Sequence, residues 1–347
     1  MNVTVIRLLN QQLYCPEFAT PQELVRHMGA IQAQEYRLVR WAVAMRTKEP
    51  SIQAFQESFD KGLIVRSHLF RCTWQVVTGE DYWWMVALCK DKATQTLRGW
   101  MHANKIRIAG EEAAHMRALL AEIIGQYRSI TKEQIQKELQ AKGIRMDDHR
   151  LSYHIRLAEF DGMICSGNLS PMKASYALAE EKIGHYRNAI DRDEALMKLT
   201  LRYFQSRQPA TFDDFVWWSG LNAGDCKRGI AMLGNQLQSM EFGERRFYFT
   251  EHCRTRGFRK GRVLLVPPYD EYLIGYKSRD IVLKKECASH AHNNSGNFYP
   301  IVVKDGKVCG NWSPFEKTLK MKPFGDEAID EKSSQVEWGR YSRAMRM

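Results

Sequence analysis

Thr131-Lys132-Glu133-Gln134-Ile135-Gln136-Lys137-Glu138-Leu139-Gln140-Ala141-Lys142-Gly143 is the stretch whose reading decides the fold. Thr131 suits a helix N-cap, because its hydroxyl can accept from a backbone N–H that the first turn leaves without a partner. Gln134, three residues on, supplies the return half of a capping box. Gly143 stands where a helix end favours a left-handed residue. Upstream, residues 111–126 carry Met116, Leu119, Leu120, Ile123 and Ile124 at helical spacing. Downstream, Asp147 or Asp148 opens a helix to about Phe160, with Leu151, Ile155 and Phe160 toward a core. Asp161-Gly162 closes it, and residues 163–165 and 176–178 read as two short strands. Helix, turn, helix, turn, helix and hairpin is the succession of a winged helix-turn-helix.

The pattern recurs on both sides. Residues 194–206 form an amphipathic helix, Thr211 caps a short helix through Trp218, and residues 222–233 form the next. Residues 236–250, turning at Gly243, read as a wing hairpin. A looser copy opens the chain, with helices over 5–13, 36–46 and 51–60 and a start signal at Thr20-Pro21 with Glu23. Residues 64–77 read as a β-hairpin ending at Gly79. After residue 260, Val263-Leu264-Leu265-Val266 is a buried-strand run ended by Pro267-Pro268. Asp305-Gly306, between 299–303 and 307–312, is a two-residue hairpin signal. The expected fold class is α+β, with three tandem winged helix-turn-helix modules over 1–105, 106–190 and 191–258 and a β-rich C-terminal unit over 259–347.

Apolar residues make up 44% and charged residues 26% of the 347, an ordinary globular mix. No apolar run approaches the roughly 20 residues that span a bilayer, and the first twelve residues do not form a secretory signal. A cytoplasmic protein without membrane association is expected. The eight cysteines, Cys15, Cys72, Cys89, Cys165, Cys226, Cys253, Cys287 and Cys309, are scattered and form no C-x-x-C pair. Buried reduced thiols are therefore expected, with neither a zinc site nor a disulfide framework. No metal or other cofactor is expected.

The net charge of +11 points to a polyanionic partner, double-stranded DNA. Winged helices set their third helix in a DNA groove. In the middle copy that helix carries Arg150, His154 and Arg156, and the first two, four apart, share a face. In the next copy the equivalent helix carries Lys227 and Arg228. Residues 254–262 interleave Arg254, Arg256, Arg259, Lys260 and Arg262 with two glycines and a phenylalanine, the composition of a mobile basic hairpin that grips phosphates. Solvated basic surface is the competing reading for each of these groups.

Gln32-Ala33-Gln34 reads, by itself, as surface or turn polarity. Within Met28-Gly29-Ala30-Ile31-Gln32-Ala33-Gln34, however, it resembles the signature of the AlkZ/YcaQ-like family of winged-helix DNA glycosylases. Val65-Arg66-Ser67-His68-Leu69-Phe70-Arg71-Cys72-Thr73-Trp74, with Glu80-Asp81-Tyr82-Trp83-Trp84 after it, resembles the family's arginine-rich hairpin and following helix, with Cys72 where the family has glycine. Pro267-Pro268-Tyr269-Asp270-Glu271-Tyr272-Leu273-Ile274-Gly275-Tyr276 resembles its Asp-Glu-Tyr segment, and Asp305-Gly306-Lys307-Val308-Cys309-Gly310-Asn311-Trp312 its C-terminal strand pair. The resemblance spans nearly the whole chain. It implies three winged helices around a basic channel and excision of N7-alkylated purines, including bases joined in interstrand crosslinks. It implies catalytic roles for Gln32 and Gln34, in the family branch with glutamine at both positions, and DNA contact by Arg66 and Arg71.

That chemistry suits two amides. An N7-alkylated purine is cationic and leaves as a neutral base, so the protein has to orient a water and tolerate an oxocarbenium ion. Without a carboxylate or amine nucleophile in the motif, a monofunctional hydrolase is expected. A bulky crosslink favours an open groove over a flipping pocket. Two other classes compete. A winged-helix transcriptional regulator would protect one defined sequence, though three fused modules offer no dimer symmetry and a monomer is expected. A protein-interaction scaffold would lack salt-sensitive DNA affinity.

Overall fold

Helices and small antiparallel sheets make up the chain. The structure is a computed structural model and describes residues 2–184, 190–325 and 328–345. It divides into two units, one of Met1–Phe55 with Leu196–Met347 and the other of Gln56–Ala195. The end of the segment read as 106–190 falls partly outside the described residues.

The first unit begins with α1 (Val3–Asn10), capped by the Asn2 side chain. It stops short of the expected Leu13 because Gln12 takes a φ of 60° and the N–H groups of Leu13 and Tyr14 both return to Leu8 O. Helix α2 (Pro21–Met28) has the full Thr20–Glu23 capping box, and Gly29, at φ 72°, ends it. Strand β1 (Ile31–Gln32) follows. The helix expected over 36–46 shrinks to α3 (Val39–Ala44), since residues 36–38 form a turn closed on Glu35 O. Helix α4 (Ile52–Asp60) leads into the second unit.

There β2 (Ile64–His68) and β3 (Trp74–Thr78) form the expected hairpin, with His68 opposite Trp74. Arg71 and Cys72 in its turn sit at φ 54° and 56°. That left-handed region favours glycine, so Cys72 takes the conformation that glycine would adopt freely. Helix α5 (Gly79–Ala103) runs for 25 residues, most of them left unassigned by the sequence reading. Its buried positions include Gly79, Asp81 and Cys89 among the apolar ones, which blurs the apolar period. Helix α6 (Gly110–Gly125), β4 (Ile130–Thr131), α7 (Lys132–Ala141), α8 (Asp148–Phe160), β5 (Ile164–Ser166), β6 (Ser175–Leu178) and α9 (Ala179–Ile183) complete the unit. The Thr131–Gln134 box is present and Gly143 sits at φ 79°. The sheet order is β4-β6-β5, over a core including Leu120, Ile123, Ile135, Leu139, Leu151 and Ile155.

After α10 (Arg192–Arg207) come β7 (Ala210–Thr211), α11 (Phe212–Ser219), α12 (Ala223–Leu233), β8 (Gln238–Phe242) and β9 (Arg245–Phe249), in sheet order β7-β9-β8. The rest of the first unit holds β10 (Val263–Val266), α13 (Glu271–Ile274), α14 (Ala288–Ala291), β11 (Ile301–Lys304), β12 (Lys307–Trp312), β13 (Met321–Pro323) and α15 (Glu331–Met345). The last four strands form an antiparallel sheet in chain order. Asp305 and Gly306, both at positive φ, make the expected tight turn.

Two expectations need correction. The C-terminal segment is not simply β-rich, because α15 packs on β10. Its buried residues, Ser334, Glu337, Tyr341 and Ala344, follow helical spacing but are mostly polar or small, so apolar periodicity does not reveal them. Residues 254–262 contain no strand and are not a hairpin. Arg254 donates to Leu9 O and Cys15 O, the Arg259 main chain is bonded on both sides to the Tyr14 hydroxyl, and Gly261 N donates to Asp305.

Candidate active site and DNA-facing residues

Gln32 ends β1 and is 5% exposed, Ala33 is buried, and Gln34 stands exposed at the following bend. The main chain leading into Gln32 is held by a buried ion pair. Glu271 Oε1 accepts from Gln32 N at 2.8 Å. Glu271 Oε2 accepts from Arg207 Nε and Nη2 at 2.9 and 2.7 Å and from Trp218 Nε1 at 3.0 Å. Arg207 Nη1 and Nη2 also donate to Met28 O and Ala30 O, each at 2.7 Å. Arg207 is 0% and Glu271 1% exposed.

The local sequence explains how these groups meet. Gly29 ends α2 in a conformation open to glycine, which releases the chain into β1. Arg207 is the last residue of α10, and its guanidinium lies 4.3 Å from the Trp218 ring centre on α11. Asp270 caps α13 through Tyr272 N, which places Glu271 at the first helical position. Asp270 itself binds Arg46 through two hydrogen bonds of 2.6 and 2.8 Å. Arg46 also donates to Gln11 O, and Gln11 Nε2 donates to the Tyr276 hydroxyl at 2.8 Å. Burial pushes that hydroxyl up to about 12. The buried charges beneath the motif are thus paired, which low-dielectric surroundings demand.

Beyond Gln34, Glu35 is half-buried and its Oε1 accepts from Arg37 N at 3.1 Å. Burial raises the Tyr269 hydroxyl, and the Glu35 charge adds to the effect. A carboxylate therefore follows the two amides, though it is engaged with its own backbone. The motif presents one amide side chain sealed from bulk water and one open to it. Neither titrates near neutral pH, so both can orient water through oxygen lone pairs and amide N–H groups.

The basic residues separate into two sets. Arg256, Arg259, Lys260, Lys227 and Arg228 are exposed. The others are buried or half-buried. His154, 3% exposed, and Arg150 both bond Glu112, at 3.1 and 2.6 Å. Burial lowers His154 despite that carboxylate, while Arg150 holds Glu112 below its usual range. The Arg156 guanidinium lies 5.8 and 5.7 Å from the Trp100 and Tyr153 ring centres. Arg66 is buried with its guanidinium 3.7 Å from the Trp74 ring centre, and Arg71 is half-buried in the hairpin turn. Arg254 bonds main-chain carbonyls, and Arg262 lies 3.6 Å from Glu337.

Sequence reading missed the roles of Arg207 and Trp218 entirely and quoted Glu271 without one. The available signal was Asp270-Glu271 inside an apolar stretch, where two acids imply buried, paired charge. It also missed the buried His68–Glu159 pair at 2.6 Å. All eight cysteines are free, but Cys15 is exposed, against the expectation of burial. No described helix is long and apolar enough to cross a membrane. Among the described residues no cluster of His, Cys, Asp and Glu could hold a metal ion.

Comparison with known proteins places the chain in a family. A curated relative, the interstrand DNA cross-link repair glycosylase of Streptomyces sahachiroi, is 22% identical over 338 residues, covering 93% of this chain and 90% of its own. The solved structure of the Streptomyces sahachiroi DNA glycosylase AlkZ matches the fold with a TM-score of 0.80 at 20% identity, over 99% of this chain and 96% of that one. The family model described as DNA glycosylase AlkZ-like matches residues 25–342. The chain belongs to the AlkZ-like DNA glycosylase family, hydrolases that act on the N-glycosidic bond of DNA.

Proposed function

We propose that this glycosylase hydrolyses cationic N7-alkylated purines from double-stranded DNA, including bases joined in interstrand crosslinks, with Gln32 and Gln34 as its catalytic residues. The observation that carries the reading is the pairing of a buried Gln32, its main chain clasped from behind, with an exposed Gln34 two residues on. The exposure of Gln34 suits a lesion too bulky to enter a closed pocket.

In the reaction the C1′–N9 bond breaks and its electron pair neutralises the positively charged base. The amide oxygens orient a water whose oxygen adds to C1′ as oxocarbenium character develops, and the water's proton passes to solvent. A neutral amide is a poor base, so the site suits leaving groups that need no protonation and forms no Schiff base. The reaction is monofunctional.

Residues 110–178 and 192–249 are winged-helix modules on this reading, with a third formed by the N-terminal segment, and the protein acts as a monomer. The exposed Lys227, Arg228, Arg256, Arg259 and Lys260 are the leading candidates to bind phosphates. The location is cytoplasmic. Family membership does not favour a non-catalytic regulator.

The test incubates the protein with a duplex bearing one N7-methylguanine and develops abasic sites with alkali. Abasic sites are expected, and Gln34→Ala should slow their formation by about 100-fold with duplex binding intact. Intact binding without abasic sites sinks the substrate reading. A Gln34→Ala variant as fast as the parent removes Gln34 from the mechanism. A duplex with an N7-linked crosslink, run alongside, reports whether crosslinks are opened.

A further inference from the structure

We infer that Glu271 is a positioning residue for the Gln32–Gln34 site, and that the Arg207–Glu271 ion pair sets the excision rate by fixing the main chain from Met28 to Gln32. This rests on the catalytic reading of the two glutamines above. Three alternate residues, Met28, Ala30 and Gln32, present main-chain polar atoms to one ion pair. Met28 ends α2 and Gln32 ends β1, so one guanidinium and one carboxylate tie the helix end to the strand across the turn at Gly29. The pair is inaccessible to water and Trp218 Nε1 braces it, so the clasp is rigid. Glu271 spends one oxygen on the pair and keeps the other for Gln32 N. The peptide carrying the buried amide is therefore fixed before any DNA arrives, which is what orienting a water requires.

Asp270 is the built-in control. It sits beside Glu271 and forms a buried pair with Arg46, yet among the described residues its carboxylate bonds only Arg46 and Tyr272 N and does not touch the motif. An amide at position 271 would have one acceptor atom where the carboxylate has two. It can satisfy Arg207 and Trp218 or Gln32 N–H, and its NH2 group must face the remaining donors.

The experiment measures single-turnover excision from the N7-methylguanine duplex, together with duplex affinity and thermal stability. Glu271→Gln should slow excision by about 100-fold, the consequence of misplacing a reacting group by about 1 Å, with affinity unchanged. Asp270→Asn, whose amide oxygen still accepts from Tyr272 N and so keeps Glu271 in place, should lose stability while its folded fraction excises at the parental rate. Equal slowing in both variants would make Glu271 an ordinary structural residue and overturn the inference.

Combining Glu271→Gln with Gln32→Ala gives the sharper readout. If Glu271 acts through Gln32, the double variant is no slower than Gln32→Ala alone, whereas multiplied losses overturn the inference. Where Glu271→Gln does not fold, Arg207→Met with Glu271→Met removes the pair without stranding a charge and carries the same expectation. A slow Gln32→Ala beside a fast Glu271→Gln sinks the inference alone. A parental rate in Gln32→Ala removes the catalytic reading of Gln32 as well.

Discussion

Residues 110–178 and 192–249 repeat one order of elements and one strand arrangement, β4-β6-β5 in the first and β7-β9-β8 in the second. Each ends a two-residue strand on a threonine that caps the following helix, and each threonine closes a capping box, with Gln134 or with Asp214. The two differ in what they bury. The first encloses a core of mainly aliphatic side chains, keeps the Arg150–Glu112 pair partly exposed and buries Glu159 against His68. The second buries arginine–carboxylate pairs at two places. Asp214 lies 3.5 Å from Arg7 and accepts from Lys277 N, and Arg207, at the end of α10, reaches Glu271 and the main chain before Gln32. The same local code thus builds both frames. The buried Arg207–Glu271 pair makes one of them the support of the candidate site.

Arg207→Ala should produce the largest effect, about 3–5 kcal/mol of lost stability in urea unfolding, because Glu271 would remain buried without its partner. Leu151→Ala, in the aliphatic copy, should cost about 2–5 kcal/mol through the cavity it leaves. The two losses should separate by activity. The folded Leu151→Ala protein should excise at the parental rate, whereas folded Arg207→Ala should not. If both keep the parental rate, the difference between the copies has no bearing on catalysis.

Thr131→Ala and Thr211→Ala test the shared part, and each should cost about 1 kcal/mol, the ordinary value of a side-chain cap. A much larger loss at Thr211 alone would show that its cap is coupled to the buried charges around Asp214. The smallest effects belong to the third helices. Replacing Lys227 and Arg228 by glutamine should lower the salt dependence of duplex binding by about one unit of slope for each phosphate the protein no longer neutralises. Arg150→Gln should leave that slope unchanged, because Glu112 already holds the guanidinium. A fall in the slope with Arg150→Gln would show that this pair opens on DNA.

The parts legible in the sequence were those encoded within a few residues. The helix start at Thr20, the capping box at Thr131, the Thr211 cap, the glycine after α7 and the Asp305-Gly306 turn all depend on neighbours three or four positions away at most. Helix α15 escaped because its buried stripe is Ser334, Glu337, Tyr341 and Ala344 rather than aliphatic residues. The basic residues were read by composition, which cannot distinguish the exposed Lys227 from His154, buried against Glu112.

The order of elements and the presence of Gln32-Ala33-Gln34 were determined by the sequence itself, because helix caps, tight turns and apolar periods are local chemistry. The setting of the motif was decided by the tertiary structure alone. Glu271 lies 239 residues from Gln32 and 64 from Arg207, and no local rule joins them. They meet because two buried charges must find each other once water is excluded, and the main chain of Met28, Ala30 and Gln32 supplies the remaining hydrogen-bond partners.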